Sequence, residues 1–433
     1  MSDYMFMLES HLTGPQNKAL AQVMAAAQQT GLNVYLTGGS MRDVMGGFAA
    51  RDLDVVVEGQ VSKVVKALQK EGGELVATDE LHKSSEMRLC GNVPVGISMS
   101  RQERYARSGA KPQISPAPIH EHLRCRDFTI NAIALSLSKG SRGLLIDPTN
   151  GVSDLQLREL RTVGNYTLYD DPSRLLRLLR LEVRLGFTIG DRTMAQYRNA
   201  REAQMEQQIT PAARRQELLA MAAEPNPGEL IKKLEQEGLL TLFAPALTGP
   251  KINHAGFQKL HKAIQLVPHG HDFQFDPRGL FLFLLTELLT PKEKTALAQS
   301  SALEKADLDL WQKLEARAKK LEKLLQAPAL SRASQIYGTL LPVPGDEILF
   351  LLCRSQQRLV TDRVKNYLQK YLQTAEEVTD ADVVAKGGVP GTPKFAVIRG
   401  QIVNGRLDGR LKKPAPPVVE AAPVSVATAR RFN

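Results

Sequence analysis

Arg51-Asp52-Leu53-Asp54-Val55-Val56-Val57 is the stretch on which the fold turns. The valine run and the acid–apolar–acid alternation read as a β-strand. Side chains two apart on a strand share a face, so Asp52 and Asp54 point the same way. Two carboxylates at that spacing repel each other unless a cation lies between them. Hard oxygen ligands suit Mg²⁺, the ion that accompanies nucleotide phosphates. Standing alone, the pair also reads as two surface acids on a solvated edge strand.

Upstream runs Val34-Tyr35-Leu36-Thr37-Gly38-Gly39-Ser40-Met41-Arg42-Asp43. An apolar strand enters two glycines, Gly38 and Gly39, which let backbone N–H groups approach a ligand closely. Ser40 is placed to cap a following helix. A helix N-terminus attracts phosphate, and Arg42 adds a forked donor. A plain strand–turn–helix would look the same. A phosphate cradle followed one helix later by an acid pair is the more informative combination.

The chain has 433 residues, a net charge of +10 and 43% hydrophobic residues. That is enough for two to four domains with a sizeable core. A basic balance suits a nucleic-acid partner. Cys90, Cys125 and Cys353 are scattered, with neither metal spacing nor a disulfide framework. The first residues carry Asp3 and Glu9 and lack a signal-peptide pattern. The longest apolar run, residues 279–289, is too short to span a membrane. The expectation is a reduced, cytoplasmic protein with no membrane association and no stable protein partner.

Helices are expected over residues 16–30 and 61–71, and strands near 74–78, 85–89 and 95–99. Arg101-Gln102-Glu103-Arg104-Tyr105 opens a polar stretch, and Ser108 to Pro112 reads as a loop. In Arg126-Asp127-Phe128-Thr129-Ile130-Asn131-Ala132, Asp127 or Thr129 would cap a helix. The functional reading sets Arg126 on a triphosphate and lets Asp127 and Asn131 fix sugar and backbone. Asp147-Pro148-Thr149-Asn150-Gly151 is turn chemistry that buttresses the head.

From Asp154 onward the periodicity is helical. The informative helix is Asp170-Asp171-Pro172-Ser173-Arg174-Leu175-Leu176-Arg177-Leu178-Leu179-Arg180. Asp171 at the cap with Pro172 behind it is a start signal. Arg174, Arg177 and Arg180 fall three apart, on neighbouring surface positions, while the leucines turn inward. Unpartnered, the three would repel, which favours phosphates or base edges nearby; a basic amphipathic helix is the plainer alternative. Residues 311–325 read as one amphipathic helix. His271-Asp272 is a weak echo of a phosphohydrolase metal pair, and the Pro/Ala/Val-rich segment from Pro414 reads as disordered.

Taken together these stretches resemble the class II tRNA nucleotidyltransferase (CCA-adding enzyme) and bacterial poly(A) polymerase family, of the DNA polymerase β superfamily. The matching motifs are Gly38-Gly39-Ser40-x-Arg42-Asp43 with Asp52-x-Asp54, then Arg126 to Ala132, then Asp171-x-x-Arg174 through Arg177 and Arg180. Arg101-x-Glu103-x-Tyr105 looks like a segment of the tRNA-repairing members. The resemblance implies an α+β chain: a small mixed-sheet head over residues 1–150, then an all-α neck (151–215), body (216–330) and tail (331–413). It implies CMP and AMP transfer from CTP and ATP to the 3′ end of tRNA, with Mg²⁺ on Asp52 and Asp54. It also implies that Asp171 and Arg174 read the base edges; Arg177 is expected on phosphate. Two positions depart from the pattern: Cys125, where arginine is usual, and Gly96, near where an acid is usual.

Poly(A) addition, CC-only or A-only addition share these motifs. A non-catalytic RNA-binding relative would more naturally have lost one acid of the pair. A small-molecule adenylyltransferase would not need the long basic helical half.

Overall fold

The computed structural model describes residues 3–267 and 273–411. His271-Asp272 and the segment from Pro414 therefore lie outside the described residues. The two stretches that opened the sequence reading lie side by side. Strand β1, Asn33–Thr37, pairs antiparallel with β2, Leu53–Glu58. The head sheet continues through β3 (Glu74–Asp79), β4 (Ser84–Leu89) and β5 (Val93–Met99). Beyond a separate pair, β6 (Arg101–Arg104) with β7 (Gln113–Pro116), it resumes with β8 (Ala134–Ser136) and β9 (Leu145–Ile146). The order is β3-β4-β5-β2-β1-β8-β9. The β2–β5 pairing is parallel and its other neighbours are antiparallel, so the sheet is mixed.

Leu53, Val55, Val56 and Val57 are all buried, because the sheet is covered on both faces. Tyr35 and Val56 pack with Ile119, Leu123 and Ile146 on one side. The helix Val61–Lys70 packs on β3 to β5, and the helix Gly14–Thr30 packs beside it. Strand propensity and double-sided burial agree here, which is why this part reads cleanly from sequence.

Three local expectations change. The polar stretch at 101–105 is strand β6 (Arg101–Arg104), paired with β7 (Gln113–Pro116) in a hairpin with Gly109 in its connection. Residues 129–131 make one 3₁₀ turn instead of a helix. Asp127 spends its carboxylate on the Phe128 N–H and the Asn131 amide, and the chain enters β8 three residues later. The helix expected over 311–325 is two, Lys305–Gln312 and Leu314–Gln326, and Leu324 is 58% exposed while Leu314, Leu321 and Leu325 are buried.

Past the head the described residues are helical, apart from a two-stranded parallel pair, Glu159–Leu160 with Thr188–Ile189. The helix Ser173–Leu185 buries Leu175, Leu176, Leu178 and Leu179. At about 1.5–3 kcal/mol per buried leucine, that face anchors the helix far more strongly than its cap. Pro172 takes the N-cap position expected for Asp171, and Asp171 one residue earlier accepts from the Ser173 backbone N–H at 3.0 Å and from its hydroxyl at 2.6 Å.

The chain falls into two compact units, Met1–Phe257 with Phe281–Asp309, and Gln258–Leu280 with Leu310–Asn433. In the second, the helices Leu314–Gln326, Gly345–Arg354 and Arg358–Asn366 pack together, and Val378, Val383, Ile402 and Val403 form a smaller core. Among the described residues no single helix is long and apolar enough to cross a membrane.

Candidate active site

Gly38 closes β1 with φ +67°, a conformation that favours glycine. A Cβ there would lie 2.6 Å from Arg126 Nη2 and 2.9 Å from Asp54 Oδ2, so a side chain would displace the ends of both groups. The next residue, Gly39, donates its N–H to Asp54 Oδ2 at 3.2 Å. Ser40 does not cap the helix Gly38–Met45, because it already lies inside it. Its hydroxyl instead accepts from the Asp54 N–H at 2.7 Å and donates to the Asp52 carbonyl at 3.1 Å. Gly38, Gly39 and Ser40 thus hold the acid strand in place.

Burial, and then the negative charge of Asp52, push Asp54 up to about 6, against the opposing pull of Arg126 and Arg42. The acid pair therefore carries negative charge that its neighbours do not fully balance. Asp52 is exposed and Asp54 half-buried, so the pair faces a region a ligand can enter. Gly96 sits directly opposite Asp54 in the parallel β2–β5 register, and a Cβ there would lie 3.4 Å from Asp54 Oδ1. Gly96, one of the two positions that depart from the expected pattern, thus lies within contact distance of Asp54. No described group of three or more His, Cys, Asp or Glu residues is arranged to hold a metal. Two carboxylates with substrate phosphates nonetheless match the way Mg²⁺ is usually held, so the donor set fits that ion.

Arg126 lies against Gly38 and Asp54, and its buried Nε has no hydrogen-bond partner. It lines a cavity of about 210 Å³ together with Glu103, Tyr105, Asp171, Arg174 and Gln216. Arg174 is fixed from behind, donating to the Thr167 and Cys125 carbonyls at 3.3 Å each. Position 125 supports Arg174 through its backbone, which cysteine supplies as well as arginine would. Arg174 Nε stands 3.6 Å from Asp171 Oδ2, too far for a hydrogen bond, and is buried without a partner. A carboxylate oxygen and a guanidinium edge, side by side and incompletely satisfied, can match the acceptor and donor pattern of a base edge. His122, 3% exposed, also lines the cavity with its Nε2 unpartnered; burial, then the charges of Arg126 and Arg101, lower it to about 3 and keep it neutral.

The remaining motif residues face carboxylates. Arg177 donates to Asp127 Oδ2 at 3.0 Å and to Glu217 Oε1 at 2.9 Å. Asp127 accepts from Asn131 at 2.9 Å, and Asn131 accepts from Arg42 at 2.8 Å. Arg42 donates to Asp43, which accepts from Arg184 at 2.5 Å. Arg184 stands 3.9 Å from Glu224; Glu224 and Glu217 both accept from Arg180, at 2.8 Å and 3.1 Å. The chain of contacts closes on itself. It holds four guanidiniums, four carboxylates and one amide, and it ties both head motifs to the helix Ser173–Leu185. Burial alone would raise Asp127, but Arg177 and Arg174 hold it well below the usual carboxylate range.

Glu217, Glu224, His122 and Gln216 were not singled out from sequence. Glu217 and Glu224 had a readable signal: seven apart, they match Arg177 and Arg184, also seven apart. A larger cavity, about 1010 Å³, opens between the helix Gly14–Thr30 and the β8–β9 turn and contains none of the motif residues.

Residues 34–161 match the family of the poly A polymerase head domain. The chain is 24% identical over 415 residues to the A-adding tRNA nucleotidyltransferase of Geobacter sulfurreducens, covering 93% of this chain and 46% of that protein. It is 32% identical over 229 residues to the CC-adding tRNA nucleotidyltransferase of Deinococcus radiodurans, covering 53% and 60%. It thus spans about half the length of the curated relatives it matches. A solved CCA-adding enzyme from Thermotoga maritima, complexed with tRNA, superposes with a TM-score of 0.52 at 24% identity, over 95% of this chain and 96% of that one.

Proposed function

We propose, from a head that belongs to the poly A polymerase head-domain family, that this chain adds CMP and AMP from CTP and ATP to the 3′ end of tRNA and releases pyrophosphate. The observation that carries the reading is the unbalanced acid pair beside Arg126, which in turn lines one cavity with the incompletely satisfied Asp171 and Arg174. Asp52 and Asp54 would hold Mg²⁺. When bound, that ion would lower the pKa of the attacking hydroxyl and neutralise the leaving pyrophosphate. Gly39 and Ser40 fix Asp54, and Gly38 leaves the space through which Arg126 meets the phosphates. Asp171 and Arg174 offer the base edge its partners, a protein template in place of a nucleic-acid one. Arg42, Asn131 and Arg180 act behind them as positioning residues, while Asp127 and Arg177 belong to the same ring of contacts and also line the cavity with Arg126 and Arg174.

Relatives named for A addition and for CC addition support a second reading, a partial activity. One experiment separates them. A tRNA ending at the discriminator base is offered CTP and ATP separately and together. Full CCA addition is the expected product. CC alone, or A alone on a tRNA ending in CC, would establish the partial enzyme, and no extension of either substrate would overturn the proposal.

A further inference from the structure

The second unit holds a cavity of about 310 Å³ whose walls carry cations and no carboxylate. Lys259 and Lys262 reach it from the helix His254–Gln265, Lys365 from the helix Arg358–Asn366, and Cys353, Arg354 and Ser355 from the end of the helix Gly345–Arg354. Among the described residues no carboxylate pairs with Lys259, Lys262 or Lys365. The carboxylate nearest by hydrogen bonding, Glu322, accepts from Ser355. The carbonyl end of the helix Gly345–Arg354 offsets only about half a charge. Three ammonium groups brought to one concavity from two helices repel one another unless an anion joins them. Cys353 is buried at the base, and its thiol is pushed up to about 12, so it stays neutral there. Among the described residues no carboxylate lines the cavity, which leaves the three ammonium groups open to an anion from outside.

We infer that this cavity is a seat for RNA backbone phosphate, formed by Lys259, Lys262 and Lys365. The inference rests on the proposed action on tRNA and names a binding site that the reaction itself does not require. Ammonium groups on flexible stems suit phosphate as point charges, without base preference. The site is therefore expected to add affinity and salt dependence but no sequence discrimination.

The test compares the full chain with the Lys259→Ala/Lys262→Ala/Lys365→Ala variant in filter binding of tRNA from 50 to 200 mM KCl. Loss of three phosphate contacts should make the log–log salt slope shallower by about 2, at roughly 0.7–0.9 per contact. The triple Lys→Arg variant should keep the wild-type slope. An unchanged slope in a folded alanine variant would overturn the inference. So would a stabilisation of the wild type by millimolar inorganic phosphate alone that the alanine variant lacks, together with unchanged tRNA binding, because the cavity would then take the free ion. If the wild type itself fails to bind tRNA, the functional proposal falls with it, an outcome distinct from an unchanged slope.

Discussion

The contact ring around the helix Ser173–Leu185 and the lysine cavity of the second unit use the same kind of charge in opposite ways. In the ring every guanidinium meets a carboxylate, and the four cations and four anions balance. In the cavity Lys259, Lys262 and Lys365 meet no described carboxylate. A matched cation builds geometry, and removing its partner leaves a buried charge uncompensated. An unmatched cation is already solvated, costs little to remove, and is available to a ligand. Asp52 and Asp54 are the anionic counterpart of the unmatched case.

The comparison can be broken at several points. The largest effect is expected at the acid pair: Asp54→Asn should lower nucleotide incorporation by about a thousandfold or more, since metal-borne charge stabilisation amounts to several kcal/mol. The far-ultraviolet circular dichroism should be unchanged. Substantial turnover by a folded Asp54→Asn protein would remove this strand from the mechanism.

Next in size is the ring. Glu217→Gln leaves Arg177 and Arg180 short of a buried partner and should cost about 3 kcal/mol of stability in urea unfolding. Combined with Asp43→Asn, at a distant point of the same ring, the two costs should fail to add by about 0.5 kcal/mol or more. Strict additivity would mean that the ring acts as separate pairs.

Arg174→Ala sharpens the distinction between the base edge and the ring. Discrimination among the four nucleoside triphosphates should relax by about 1–3 kcal/mol in single-turnover incorporation. Glu217→Gln should instead reduce all four alike. Unchanged ratios in the Arg174 variant would refute the protein-template reading.

A smaller effect concerns His122. Its unfolded value is near 6.5 and its folded value is about 3, so below pH 6.5 the unfolded chain binds a proton that the native chain refuses. Its contribution is complete above pH 6.5 and is lost as pH falls, by at most about 1.4 kcal/mol per pH unit. His122→Gln should flatten that limb between pH 5 and 7. The difference between the two curves cancels Asp54, whose raised value acts in the opposite direction. The smallest effect is expected in the lysine cavity, where the triple alanine variant should stay within about 0.5 kcal/mol of wild-type stability.

Much of this was legible in the sequence. The valine run with two acids, the paired glycines and the Asp171-to-Arg174 helix start each announce themselves through local periodicity and cap chemistry, and the mixed sheet and the helical remainder follow. Gly38 was legible too, since glycine is what a positive φ beside a ligand site demands. Ser40 was legible only as a polar residue after two glycines. That it would clamp the acid strand and leave the helix uncapped depends on where β2 arrives, twelve to fourteen residues later. The hairpin at 101–116 was hidden because its strands are short and polar on both sides.

By itself the sequence determined which residues share a face: Asp52 with Asp54, Arg174 with Arg177 and Arg180, and the leucines opposite them. Those relations follow from fixed helical and strand periods, which hold whatever surrounds the element. Only the tertiary structure decided what each face meets. Arg177 finds Asp127 fifty residues away and Glu217 forty residues away, and Arg184 finds Asp43 at a separation of 141. Spacing along one helix carries no information about carboxylates delivered by other elements. An arginine row therefore reads from sequence as waiting for phosphate, when in the folded chain most of it is already matched.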